Sequence, residues 1–212
     1  MGQYYAPTII YPDGSFASLD GHAFDNGIKL TEHSWIGNHL VNAVYLKILN
    51  KPRRIAWIGD YSDNGYAVCG EAYTKQISPE EFLKYYDSAW PNEDEDGTLI
   101  PSSMYTPEEL ELINENTKGF YLVNHDRKEF LDLGGYIERC TIQEGSFAGW
   151  CVDPLPLLTA CGNGRGGGDF YDGDDAIGYE DVGIWAFHEL ELTDAIPDGF
   201  QECTYSFLEG RA

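Results

Sequence analysis

Basic residues are scarce in this chain. Thirteen Lys and Arg stand against thirty-six Asp and Glu, for a formal net charge of −23 over 212 residues. A field of that sign repels nucleic acid and attracts basic partners, so direct nucleic-acid binding is disfavoured at the outset. No run approaches the ~18 apolar residues that would cross a membrane. The first residues, Met1-Gly2-Gln3-Tyr4-Tyr5-Ala6, lack the basic and apolar regions of a signal peptide, and Ala6 stands where N-myristoylation expects Ser or Thr. A soluble, cytoplasmic protein is the expectation. Cysteines number five, Cys69, Cys140, Cys151, Cys161 and Cys203, with no C-x-x-C pair. That pattern lacks the common zinc spacings, and in a reducing compartment buried free thiols are the default. A zinc site assembled in space from Cys140, Cys151 or Cys161 with a distant His stays open as a route to a zinc-stabilised structural or interaction protein.

What is abundant is glycine, aromatic side chains and carboxylate. Twenty-four glycines, an aromatic share of 14% and 42% hydrophobic residues describe a turn-rich globular chain with enough apolar mass for one core. The acidic surplus is unevenly placed. Residues 76–117 hold eleven acidic residues against Lys84 alone, and residues 140–212 hold fourteen against Arg165 and Arg211, while the rest of the chain is nearly balanced.

The most unusual stretch is Gly162-Asn163-Gly164-Arg165-Gly166-Gly167-Gly168-Asp169, running into Phe170-Tyr171-Asp172-Gly173-Asp174-Asp175. Five glycines in seven residues let the main chain turn sharply and present N–H groups. Three readings follow. Gly164, Arg165, Gly166, Gly167 and Gly168 could cradle an anion, although neither the P-loop nor the dinucleotide pattern is met. Asp169, Asp172, Asp174 and Asp175 offer hard oxygen ligands, without the spacing of a calcium loop. The ordinary reading is a tight connection that lets another backbone pass closely.

Along the chain, residues 3–10 read as a strand that turns at Pro12-Asp13-Gly14-Ser15 into Phe16-Ala17-Ser18, an opening hairpin. A short strand at Ile28–Leu30 precedes Ser34, the expected N-cap of an amphipathic helix over 35–49 built on Ile36, Leu40, Val44 and Ile48. Arg54–Ile58 reads as a buried strand ending in the turn Gly59-Asp60-Tyr61-Ser62-Asp63, with Tyr66–Val68 as the next strand. Capping boxes at Ser78-Pro79-Glu80-Glu81 and Thr106-Pro107-Glu108-Glu109 open helices to about residues 90 and 116, separated by the acidic loop Asn92-Glu93-Asp94-Glu95-Asp96-Gly97. Strands are expected at 120–123, 129–133, 136–142, 182–187 and 203–207, and a short helix at 154–160. The whole reads as one α+β domain over 1–212, a largely antiparallel sheet packed with the amphipathic helix, with 76–117 as an acidic helical insertion.

Several of these segments carry a resemblance. Met1-Gly2-Gln3-Tyr4-Tyr5, His22-Ala23-Phe24-Asp25-Asn26-Gly27-Ile28-Lys29-Leu30, Glu32-His33-Ser34-Trp35, Trp57-Ile58-Gly59-Asp60-Tyr61, Asn124-His125 and the 154–169 run into the glycine motif resemble an uncharacterised family of small proteins. That family occurs in Gram-positive bacteria, their phages and mobile elements. It has no established activity to carry over; the resemblance implies a mobile-element setting and hence a bacterial host cell.

For an enzyme, the five histidines, His22, His33, His39, His125 and His188, lack any diagnostic neighbourhood, and no zincin, nucleophile-elbow or zinc-deaminase motif occurs. No catalytic residue is assigned. Asp60 and Asp63 with Asp169 and Asp172 would form a divalent-cation site for a hydrolase or phosphoryl-transfer enzyme if their two turns meet; beyond that cation no cofactor is expected. For a binder, fixed carboxylates imitate a phosphate track and occupy a groove meant for nucleic acid. Glu93, Asp94, Glu95, Asp96, Glu108 and Glu109 with Trp90 are the expected contact residues, and other aromatics near the charge, such as Tyr105 and Tyr171, would add anchors. Together with the mobile-element setting, the expectation is a DNA-mimic anti-defence protein whose partner is a basic protein, leading case an anti-CRISPR inhibitor of a Cas nuclease.

Overall fold

The computed structural model describes residues 3–19, 21–24, 27–62, 119–162, 179–205 and 207. At the centre of the sheet lies β3 (Arg53–Gly59), whose last five residues are all buried. A strand covered on both faces needs a continuous apolar run rather than alternation, and Ile55-Ala56-Trp57-Ile58 supplies it. Ile55 and Trp57 enter the main core, while Ala56 and Ile58 join a second cluster with Cys161 and Phe187.

On one side β3 pairs antiparallel with β1 (Tyr5–Ile10) from Tyr5 opposite Gly59 to Ile10 opposite Arg54, and β1 in turn with β2 (Phe16–Ser18). The expected hairpin forms: Ser15 carbonyl accepts from Tyr11 N–H at 2.8 Å, and Asp13 Oδ1 accepts from Ser15 N–H at 2.9 Å. On its other side β3 is shared. Its C-terminal half pairs parallel with β6 (Ala160–Cys161), and its first two residues pair antiparallel with β7 (Glu189–Thr193). From β7 the sheet continues through β4 (Tyr121–Asn124) and β5 (Glu129–Asp132) to β8 (Gln201–Glu202). Five of the seven pairings are antiparallel, so the sheet is mixed but mostly antiparallel and the fold is α+β. Strands before and after residues 63–118 share this sheet. The expected helices at 78–90 and 106–116, and the strand at 66–68, lie outside the described residues.

The amphipathic helix is α2 (His39–Ile48), buried through Leu40, Val41, Val44, Tyr45 and Ile48. It starts later than its sequence suggests. Asn38, not Ser34, is the N-cap, accepting from Leu40 and Val41 N–H at 3.0 and 3.4 Å. Ser34–Ile36 is instead held extended against 151–153: Trp35 bridges Val152, Ile36 N–H donates to Cys151 carbonyl, and Asp153 N–H donates to Ser34 carbonyl. Residues 30–33 form a one-turn helix, α1 (Leu30–His33), where a strand end was expected.

The segment after β5 is also corrected: Leu133–Cys140 is helix α3, not a strand over 136–142. Leu133, Tyr136, Ile137 and Cys140 recur at helical spacing and put one face inward, and Tyr136 Oη donates to Val152 carbonyl at 2.9 Å. The short helix α4 (Pro154–Leu158) forms as expected. Residues 182–187 form turns rather than a strand, with Gly183 at φ +81°, and the strand follows at β7. β8 falls at 201–202, just before the segment expected to pair. No helix among the described residues is long and apolar enough to cross a membrane.

Candidate functional site

Two places combine functional side chains. The first is the end of β3 and β6, where the aspartate turn and the glycine stretch both leave the sheet. Their last described residues are neighbours: Ile58 pairs with Cys161, and Ser62 Oγ lies 3.6 Å from Cys161 Sγ. Gly59 and Gly162 are glycine for steric reasons. A Cβ on Gly162 would sit 1.9 Å from Gln3 Oε1 and 2.6 Å from Tyr5 Oη, and one on Gly59 would sit 2.6 Å from Gln3 Oε1. What approaches the first glycine of the stretch is thus the side chains of Gln3 and Tyr5, not the second backbone that the ordinary reading expects. Asp60 N–H donates to Tyr4 carbonyl at 2.9 Å, and Asp60 Oδ1 accepts from Tyr4 N–H at 3.1 Å. Its carboxylate thus closes the β1–β3 ladder while remaining exposed. Its expected partners Asp63, Asp169 and Asp172 lie outside the described residues, as do Gly164, Arg165, Gly166, Gly167, Gly168, Trp90, Glu93, Asp94, Glu95, Asp96, Glu108 and Glu109. Among the described residues no group of three His, Cys, Asp or Glu side chains is placed to hold a metal ion.

Three histidines, His33, His125 and His188, are hydrogen-bonded within the fold. Trp57 Nε1–H donates to His33 Nε2 at 2.9 Å, so Nε2 is unprotonated and Nδ1–H faces the Gly27 carbonyl 3.1 Å away. Burial holds this imidazole down at about 4, hence neutral. His125 Nε2 meets Glu191 Oε2 at 2.8 Å, and His188 Nδ1 meets the Asn124 amide at 2.9 Å. Cys151 and Cys203 are pushed up to about 12, chiefly by burial. They are therefore thiols, not the thiolates that attack or ligate.

The second place is a cleft of about 470 Å³ between the 32–38 segment and the α3–α4 connection, lined by Glu32, Trp35, Asn38, Ile137, Trp150 and Cys151 among others. Two of its lining residues, Trp35 and Trp150, belong to an aromatic cluster that Phe147 completes from outside the lining. Trp35 stacks on Phe147 at 6.0 Å and 9°, and Trp150 meets Trp35 edge-on at 4.9 Å. Phe147 is 53% and Trp150 48% exposed. They are held there by a closed loop: Ile142 N–H donates to Trp150 carbonyl and Gly149 N–H to Ile142 carbonyl, both at 2.8 Å. Gly145 and Gly149, each at φ +88°, permit that closure. Trp35 is fixed separately by its Nε1–H bond to Thr31 carbonyl at 2.8 Å.

Behind the cleft floor lies buried Asp153, the N-cap of α4. Its Oδ1 accepts from Leu155 N–H at 2.9 Å and from Tyr45 Oη at 2.8 Å. Burial outweighs those bonds and raises the carboxyl to about 7. The sequence offers Cys151 only as a zinc-ligand candidate and does not bring these residues together as a cleft. The available signal was Gly145-Ser146-Phe147-Ala148-Gly149-Trp150, large aromatics inside a glycine-bounded turn too short to reach a core.

Fold and site together define an α+β protein with a buried core and a solvent-facing aromatic cleft. No protein-family model, no curated protein and no solved structure matches the chain.

Proposed function

We propose that this protein is an acidic anti-defence protein of a phage or mobile element, which binds a basic nucleic-acid-binding protein and blocks it, with a Cas nuclease as the leading target. The observation that carries the reading is the charge: −23 overall, with two segments whose forty-two and seventy-three residues hold twenty-five of the thirty-six acids. The described body supports it by contrast. There two carboxylates outside the acidic segments are already engaged, Asp126 with Arg54 at 3.0 Å and Glu129 with Arg127 at 2.7 Å. The uncompensated charge therefore belongs mainly to segments such as 92–97, where Glu93, Asp94, Glu95 and Asp96 have no basic neighbour in sequence. The exposed aromatics supply the apolar anchoring that charge alone lacks.

The test is association with a purified Cas nuclease across a salt series. Binding weakens steeply with salt, and replacing Glu93, Asp94, Glu95 and Asp96 by Gln or Asn slows association about tenfold or more at low salt. Affinity independent of salt overturns the phosphate-mimic mechanism. A metal-dependent hydrolase is the second reading, favoured by one observation: the turn holding Asp60 and the start of the glycine stretch leave adjacent strands side by side. A stoichiometric divalent metal in the purified protein, lost in an Asp60→Asn, Asp169→Asn variant, would establish the cation site that this reading requires, and metal-dependent phosphoester hydrolysis would establish the activity.

A further inference from the structure

We propose that the cleft lined by Glu32, Trp35 and Trp150 is a receptor for an arginine side chain presented by a basic protein. The reading given above supplies the source of that arginine; the chemistry of the cleft supplies the rest. Among the described residues Glu32 is the one charged side chain lining it, and no described Lys, Arg or His shares the lining. Glu32 is also pre-oriented, because its Oε2 accepts from Lys29 N–H at 3.0 Å at the start of α1. The indoles of Trp35 and Trp150 share the lining with Glu32, and a planar guanidinium stacks on such faces while its N–H groups reach an acid. The methylene stem of the same side chain covers apolar surface such as Ile137.

The volume, about 470 Å³, leaves ample room for one arginine side chain. Both walls are held before anything binds, one by the Trp35 bond to Thr31 and the other by the closed 142–150 loop. Little order is then lost on binding. A surplus of negative charge over the whole molecule adds long-range attraction for a cationic ligand.

The experiment titrates N-acetyl-arginine N-methylamide into the 15N-labelled protein and follows the indole Nε1–H signals, assigned with Trp35→Phe and Trp150→Phe variants. The Trp35 and Trp150 signals shift and saturate in the millimolar range. The neutral citrulline analogue binds about 3- to 10-fold more weakly, and Glu32→Gln weakens the arginine probe by a similar factor. Absence of shifts at these two indoles, or equal binding of arginine and citrulline, overturns the assignment. With the nuclease as ligand, Trp150→Ala on a protein that keeps its remaining amide dispersion lowers affinity at least about tenfold. Nuclease binding that ignores Trp150→Ala and Glu32→Gln sinks this site while leaving the acidic-inhibitor reading intact. An arginine probe that seats correctly on a protein no nuclease binds sustains the site and removes that reading.

Discussion

Two buried groups give this fold opposed pH dependences, and separating them tests the packing of its core. Asp153 sits on α4 with its carboxyl raised from 3.8 to about 7 by burial. Between those values the folded state holds a proton that the unfolded state has released, so stability falls as pH rises through the window. Three units correspond to roughly 4 kcal/mol between low and high pH. His33 behaves oppositely. Its imidazole is lowered from 6.5 to about 4, the unfolded state binds the extra proton, and stability falls as pH drops through that window, by roughly 3 kcal/mol. From pH 4 to 6.5 the two slopes, each near 1.4 kcal/mol per pH unit, nearly cancel.

Asp153→Asn keeps an oxygen for Tyr45 Oη and Leu155 N–H while removing the titration. Urea unfolding of both proteins at one-unit intervals from pH 4 to 8 isolates the effect, because every other group cancels in the difference. The variant gains roughly 4 kcal/mol on the wild type across that range, and its own stability falls more steeply toward pH 4 because the His33 slope is exposed. A difference that stays flat with pH would show that Asp153 is not held as an uncharged buried acid, and the account of the α2–α4 contact would fail with it.

Other outcomes follow from single contacts. Trp57→Phe strands His33 Nε2 without its donor and lowers stability by about 1–3 kcal/mol in denaturant unfolding, whereas Phe at the exposed Trp150 costs less than about 0.5 kcal/mol. Gly183→Ala loses at least about 2 kcal/mol, because φ is +81° and the new Cβ would lie 2.5 Å from Ala160 carbonyl oxygen. Neutralising Glu93, Asp94, Glu95 and Asp96 together leaves the urea midpoint nearly unchanged while slowing association with a basic partner; a midpoint shift comparable to the kinetic effect would assign those carboxylates to the fold instead.

The local chemistry of the chain determined much of this protein. Charge scarcity of one sign, the hairpin at Asp13-Gly14, the apolar run of β3 and the amphipathic period of α2 are each legible within a dozen residues, since turn, burial and helix signals act over one or two turns of chain. The α3 helix was misread because Gly134-Gly135 suggests a break and only the inward face of Leu133, Tyr136 and Cys140 resolves the period. Pairing 34–36 with 151–153 moved the cap of α2 from Ser34 to Asn38. Tertiary structure alone brought Tyr45 to Asp153 and Trp57 to His33, 108 and 24 residues apart. It also set Trp35 against Phe147 and Trp150. Those contacts have no sequence signature because they depend on which surfaces two separately formed elements present to each other, and that is decided only when the sheet and its helices bury their apolar faces together.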